Sequence, residues 1–525
     1  MKRFVSLVMS VILVFSLAAC GSNDTGSTAA SQSSETQESS DVPEVSDTQE
    51  ESLPETSAID FDEEPYTLVV CYPVLSEAQP DLAMIQEAIN EITLREINAR
   101  VEFEAVGLFS MANVYALKAS SQEKVDLMML MPGYNYLPNF ATSNMIQPID
   151  DVVEAWGPSI KEILGDALQA GRFNGSLYAV PQNKDLLANG YGFNLSVPLC
   201  EKYDIDIDSI KTLEDLEAVF ELIHEKEPDV TVVAPEQSGG TILSILRGKA
   251  DPLGTTTASL SVAADGTLQA VNSVEQESYN EAAKKVREWY EKGYISRDVT
   301  TAQESGSQML GAGKVFATAA ASLGASMGGE MTGVQFKAVK LEDVFATTSD
   351  SQMSIWTIPT SCQRPDKAIQ FLNLAFENEE IGNLFRYGIA DNHHVLLEDG
   401  YAQLANTAGW VNNWYILGDC KKMYIRSDAI VSAGVSHDEF IELMNQWNEG
   451  VVLSPAYGFT FDPAAVRTEV AACDTVIDEY SKAIGNGVVD PEAELPKFRQ
   501  KLIDAGVEII MSEVQRQLDE WAAMQ

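Results

Sequence analysis

From residue 66 onward the chain alternates short apolar runs with longer amphipathic stretches. Tyr66–Pro73 (YTLVVCYP) is apolar almost throughout, the pattern of a strand buried on both faces. Pro80–Asn98 places Leu82, Ile85, Ile89 and Ile92 on one helical face, and Pro80 suits a first turn. Arg100–Val106 alternates, with Val101, Phe103 and Ala105 on one side, and Val125–Met131 (VDLMMLM) is a second buried strand running into Pro132-Gly133. This succession predicts an α/β sheet with crossover connections. Further strands are expected over Gly190–Leu195 and Ser354–Thr360, and helices over Ser273–Gly293 and Gln363–Phe385. Another helix starts with Thr212 as N-cap and Asp215 three residues on. Near the end, Asp462-Pro463 opens a helix that Gly485 and Gly487 stop, and Asp490-Pro491 restarts one. Val507, Ile510, Val514, Leu518 and Trp521 then form a last helical stripe.

Ahead of this body, Met1-Lys2-Arg3 leads into Val5–Cys20 (VSLVMSVILVFSLAAC), an apolar run with small residues before a cysteine. That is the layout of a secretory signal, and its uncharged core falls short of the roughly 20 residues that span a bilayer. The ending Leu17-Ala18-Ala19-Cys20 resembles the lipobox of bacterial lipoproteins. The resemblance implies cleavage before Cys20, a lipid on Cys20, and a body held at the extracytoplasmic face of the cell membrane. Residues 21–64 carry thirteen acids and no Lys or Arg among Ser, Thr and Gln. Such a segment lacks the apolar surface to offset its ordering entropy, and its like charges extend it into a disordered spacer.

A chain of 525 residues exceeds one ordinary core, so two lobes are expected. The net charge of −45 repels polyanions and excludes nucleic acid as a partner. It does not imply a cationic ligand, because a solvated acidic surface accounts for it. Besides Cys20, five cysteines are widely spaced without a CxxC pair. The odd number leaves at least one thiol free, so the spacing permits an isolated disulfide but no framework. His393-His394 has no nearby cysteine, so neither a metal site nor a cofactor is expected.

Several segments together resemble the carbohydrate-type solute-binding proteins of ABC importers, the group related to maltose-binding protein. Asp126-Leu127-Met128 matches the family's Asp-hydrophobic-aromatic strand, with Met128 in the aromatic place. Asn144–Asp150 matches G-x-hydrophobic-x-P-hydrophobic-D with Asn144 for the glycine, and Gly175–Pro181 matches G-x-hydrophobic-Tyr-x-hydrophobic-Pro. Tyr191–Asn194, Thr212–Leu216, Met309–Ala325 and the Pro365 helix follow in the family's order. Gly458-Phe459…Asp462, Glu469–Ala472 and Glu513…Trp521 resemble the C-terminal domain of LipO-type lipoproteins, DUF3502. The resemblance implies a two-lobe, type II periplasmic-binding-protein-like α/β fold with an interlobe cleft and extra C-terminal helices. It also implies a monomer that captures a carbohydrate, most simply an oligosaccharide, and delivers it to an ABC permease. Lobe I is expected over 65–193 plus 352–408 and lobe II over 194–351 plus 409–525. Crossings are expected at 188–195, 352–360 and 405–415.

A sugar site needs aromatic faces for C–H patches and amides or charges for hydroxyls. Tyr134, Asn135 and Tyr136 follow a buried strand, at the carboxyl end where open α/β sheets bind ligands. Asn183 and Lys184 stand near an interlobe crossing, and Trp356 lies on another expected crossing strand. Trp410 and Trp414 flank two asparagines, and Tyr457 and Phe459 lie in a Pro-Ala-Tyr-Gly-Phe loop. Each also has a plain packing explanation, Trp356 above all. The chain carries no GxSxG, HExxH or GxxxxGK[ST], and in Gly311-Ala312-Gly313-Lys314-Val315 a valine stands where a phosphate loop needs Ser or Thr. With 79 acids some carboxylate pair is inevitable, so acid pairs argue nothing for a glycosidase. The reading is therefore a binding protein and not an enzyme. A secreted glycoside hydrolase is the alternative, followed by a peptide binder or a sensor input.

Overall fold

The first strand, β1 (Tyr66–Val74), is buried from Leu68 to its end, as its unbroken apolar composition requires. The structure, a computed structural model, describes residues 58–75, 78–131, 137–183, 192–248, 250–320, 336–343, 345–398, 400–410, 417–424 and 449–525, with 438, 442, 445 and 446 between. Helix α1 (Leu82–Ile97) buries Ile85, Ile89 and Ile92 and ends at Asn98, whose φ of 47° turns the chain into β2 (Ala99–Gly107). β2 alternates because it is the outer strand; Val101 and Phe103 point in, Arg100 and Glu102 out. α2 (Met111–Ser120) leads to the wholly buried β3 (Leu127–Leu130). β4 (Ala179–Pro181) completes what the first half of the chain adds to this sheet.

The second sheet comprises β5 (Gly192–Ser196), β6 (Thr231–Pro235), β7 (Val315–Ala319) and β8 (Phe336–Lys340), in the order β8-β5-β7-β6. Between β5 and β6 lies α3 (Leu213–Lys226). Here Thr212 accepts from Asp215 N while Asp215 accepts from Thr212 N, the reciprocal cap its spacing predicts. α4 (Glu277–Lys292) brings Trp289 against Phe220 of α3 at 5.2 Å between ring centroids. After the short β9 (Phe345–Ala346), the chain returns to the first sheet as β10 (Ile355–Thr357), giving the order β2-β1-β3-β10-β4. β10 is antiparallel to both neighbours, while β1, β2 and β3 are parallel.

The helical stretch expected over 363–385, with a second short turn after Asn378-Glu379-Glu380, forms two helices. Asn378 ends α5 (Pro365–Glu377), and its side chain accepts from Glu380 N to cap α6 (Glu379–Tyr387). The chain then stays with the first core longer than expected. Trp410 and Leu417 are buried in that core, and Tyr424 N donates to Asn383 of α6. Gly418, at φ +83°, lies where a Cβ would be 2.3 Å from the Ala375 carbonyl. The expected third crossing at 405–415 and the lobe division at 409 therefore precede the change of core: Leu417 still belongs to the first core, and among the described residues the second resumes at Ala456, just after β11 (Val452–Leu453). α7 (Arg467–Gly485), α8 (Pro491–Asp504) and α9 (Val507–Ala522) close the second core, with Val507, Ile510, Val514 and Leu518 buried as the stripe predicts.

The return segment between the sheets is bolted to the C-terminal region. β9 pairs with β11, and Ser454 N donates to the Ala346 carbonyl at 2.9 Å. Gly458 N donates to Thr348 Oγ1 at 2.8 Å, and Ser351 and Tyr457 share a hydroxyl hydrogen bond of 2.6 Å. Gln352 Nε2 reaches both the Ala170 carbonyl and Thr460 Oγ1 at 2.9 Å. Behind them, buried Asp251 accepts from Leu253 N and from Ser454 Oγ. Burial holds its carboxyl above the usual range against those two hydrogen bonds, and Asp350 adds like charge.

Two outcomes follow from this packing. Trp356 is fully buried between Met129 and Val180, so Trp356→Ala is expected to cost about 3–5 kcal/mol in denaturant unfolding. Asp251→Asn removes a buried charge. Below about pH 3.9 the wild-type carboxyl is neutral folded or unfolded, and the burial penalty is absent. As pH rises from there to the raised native value, the unfolded state ionises first and wild type loses stability. Melting curves against pH should therefore show the variant gaining on wild type through that window and keeping a constant lead above it. A lead independent of pH would contradict the burial argument.

Candidate functional site

Strand direction defines where the two sheets meet. β4 is parallel to β3, since both are antiparallel to β10, so it leaves the first sheet at its carboxyl edge and ends beside Asn183. β5 starts at Gly192, level with Lys340 at the end of β8 and, through Asn194↔Thr318, with the carboxyl end of β7. Asn183 and Gly192 are nine residues apart, and a fully extended chain of that length reaches about 30 Å. The return from β8 to β10 also joins these edges. The carboxyl edges of both sheets are thus the ones that the connections between the sheets join. In open α/β sheets this edge is where ligands bind.

The expected site residues divide sharply. Tyr134, Asn135, Tyr136, Lys184 and Trp414 lie outside the described residues, as does Cys20. Asn183 sits on the carboxyl edge, but its amide donates to Asp419 Oδ1 at 2.7 Å and its carbonyl accepts from Cys420 N at 3.1 Å. It therefore fixes the start of the crossing against segment 417–424. Trp356 and Trp410 are corrected outright. Trp356 is 0 % exposed in the middle of the first sheet, and Trp410, 2 % exposed, packs edge-on to Phe385. Neither can meet a ligand without unfolding its core. Tyr457 and Phe459 come together with Trp521, Gln169 and Arg172 around a pocket of only about 60 Å³. Tyr457 supports the return segment through Ser351, and burial pushes its phenol up to about 12. Phe459 packs on Trp521 in the second core.

The family's motif residues likewise prove to be structural. Asp126 is fully buried, accepting from Tyr66 Oη and Val69 N, both at 2.8 Å, and so clamps β1 to the approach to β3. Asp150 accepts from Leu177 N and Arg172 Nη1 and holds the turn before β4. Sequence reasoning overlooked other groups on the edge. A cavity of about 450 Å³ runs from Gln237, Ser238 and Gly239, past the carboxyl end of β6, along its outer edge to Thr231, with Val299 and Gln303 opposite. Gly306 allows the close approach there, since a Cβ would lie 2.2 Å from the Pro235 carbonyl. On the first sheet, Phe109 is 84 % exposed and Leu75 is 55 % exposed. The signal for Phe109 was available: Leu108, Met111, Tyr115 and Ala119 make the buried stripe, and Phe109 falls off it. The cavity lining mixes hydroxyl, amide and apolar groups with the carboxylates of Asp298 and Glu304. Among the described residues no group of three His, Cys, Asp or Glu side chains converges as a metal site, and Cys71, Cys200, Cys362, Cys420 and Cys473 are buried and form no disulfide. No helix among them is long and apolar enough to cross a membrane.

Comparison with known proteins agrees with this geometry. The C-terminal residues 455–523 match the domain of unknown function DUF3502. A carbohydrate ABC transporter substrate-binding protein of Streptococcus pneumoniae is 25% identical over 460 residues, spanning 82% of this chain and 86% of that protein. The crystal structure of an N-glycan transport solute-binding protein from the same organism superposes with a TM-score of 0.71 at 22% identity, covering 87% of this chain and 98% of that one. The same protein in complex with Man5GlcNAc gives 0.60 over the same shares. Residues 88–388, more than half of the chain, match the bacterial extracellular solute-binding protein family, and to that family this chain belongs.

Proposed function

We propose that this protein captures an oligosaccharide, of the N-glycan kind or similar, between the carboxyl edges of its two sheets and hands it intact to an ABC permease. The observation that carries this reading is that both connections between the sheets join their carboxyl edges, where α/β sheets bind ligands. The relatives' ligands and the family's role in import support the carbohydrate and the permease. Tyr134, Asn135, Tyr136 and Lys184 are the side chains proposed to meet the sugar, because segments 132–136 and 184–191 continue directly from β3 and from Asn183. Capture needs only a higher affinity of the closed arrangement for the sugar, with the lobes closing by hinge motion.

The leader and spacer complete the proposal. Residues 1–20 act as a lipoprotein signal, Cys20 carries the lipid, and residues 21–64 set the reach of a monomeric body outside the cytoplasm. A tethered binder gains effective concentration beside its permease. The lobes are proposed to divide at the crossing after Asn183 and the return before Ile355, with the C-terminal helices in lobe II.

Thermal melting against a panel of oligosaccharides is expected to show stabilisation by at least one, about 2.7 kcal/mol at a hundredfold excess over Kd. Mass spectrometry should recover that sugar unchanged; released reducing ends would point instead to a hydrolase, and a panel without any shift would sink the reading. Cys20→Ser should move the protein from the membrane fraction to the medium or soluble fraction while leaving sugar affinity as it was.

A further inference from the structure

We infer that the cavity beside β6 is a separate subsite of the second sheet, and that it takes the side arm of a branched, uncharged oligosaccharide. The inference rests on the proposed carbohydrate reading and names the shape of sugar that reading leaves open. β6 is the last strand of its sheet, so no further strand pairs with its outer edge. The cavity of about 450 Å³ follows that edge, within the range of about 300–1,000 Å³ that small-ligand sites occupy. The five residues of β6 extend over about 16 Å. Ser238 and Gly239 put one end of the cavity beyond the carboxyl end of β6, on the edge that the connections between the sheets join. From β5, where the crossing enters, to β6 there are two strand spacings, about 10 Å. A ligand held at the crossing therefore reaches the cavity only with an arm of about that length.

The backbone narrows what the cavity can hold. A groove beside an edge strand could accept an extended peptide, but the Tyr294 carbonyl already accepts from Val232 N and Val233 N, both at 3.1 Å. A peptide would find the middle of β6 occupied, so recognition falls to side chains. The walls are fixed in advance: Ser238 Oγ donates to the Ala302 carbonyl at 3.0 Å, and Ser307 N donates to the Glu236 carbonyl at 3.2 Å. A site held in this way spends little affinity on ordering itself.

The side chains match a sugar. Ser238 and Ser296 supply hydroxyls, Gln303 an amide and Asp298 a carboxylate, while Val233 and Val299 offer apolar surface for C–H faces. Asp298 Oδ1 accepts from Ser296 Oγ, and a carboxylate has about four acceptor positions, so it retains room for a sugar hydroxyl. The charges at the rim balance. Glu304 is paired with Lys314 at 2.7 Å, and Lys482 Nζ stands where a Cβ on Gly239 would be 3.5 Å away. Asp298 and Glu304 thus face Lys314 and Lys482, and no net charge is asked of the ligand.

Isothermal titration of the full chain with Man1GlcNAc and the branched Man5GlcNAc tests this. Wild type should bind Man5GlcNAc more tightly. Asp298→Ala, at an exposed side chain, and Ala302→Trp, which fills the cavity, should each lose about tenfold in affinity for Man5GlcNAc and match wild type on Man1GlcNAc. Hydrogen exchange over residues 296–304 should slow with Man5GlcNAc and not with Man1GlcNAc. Wild-type affinity for Man5GlcNAc in either variant that keeps the wild-type melting temperature would overturn the inference while leaving the binding function standing. So would an equal loss for both sugars, or a wild type that binds the two equally. A wild type that binds neither sugar would overturn the inference, and the function as well if the melting panel shows no shift.

Discussion

Chain connectivity is the constraint on which the rest depends. The first sheet is left along β4 and the second begun at β5 with only residues 182–191 between them, and the return enters at the amino end of β10. Because β10 runs against its neighbours, that entry is again at the carboxyl edge. Two sheets joined in this manner are tied together at the ends where βα connections present backbone amides and loop side chains. A binding cleft is thus a by-product of strand direction, before any particular side chain is chosen.

The second theme is how much polar chemistry is spent on structure. Asn183, Asp251, Ser351 and Gln352 lie near the carboxyl edge or the return segment, Asp126 and Asp150 at the amino ends of β3 and β4, and each is engaged in fixing one backbone segment to another. Buried polar groups demand partners, so once placed there they specify a single arrangement of the segments they join. The C-terminal domain participates directly, since Tyr457, Gly458 and Thr460 receive the return segment. Its helices are therefore part of the frame that holds the cleft, not an appendage.

Much of the fold was legible because burial writes itself into composition. β1 and β3 read as buried strands, the reciprocal cap at Thr212 and Asp215 formed as spaced, and the last helix buried the expected stripe. The site was less legible. Trp356 was a candidate because an aromatic on a crossing strand suits a sugar, but the sequence does not say that β10 is flanked on both sides by strands from distant parts of the chain. Trp410 misled for the same reason: its partner Phe385 comes from a helix that only the tertiary fold brings alongside. Phe109 was missed because it adjoins a genuine core stripe, and its exposure is not legible from the residues around it.

Near its beginning the body is secured far from the cleft. Asn98 donates to the carbonyls of Asp60 and Glu63, Arg364 grips Glu63 and Asp366, and buried Lys367 bonds both Glu63 and the Ile97 carbonyl. These contacts sit beside the amino end of β1, the opposite edge of the sheet from the crossings. A pull on the chain upstream is therefore taken up by ion pairs and by shear along the β1–β2 and β1–β3 ladders, within one lobe. That load stays within the first sheet and does not reach the connections to the second.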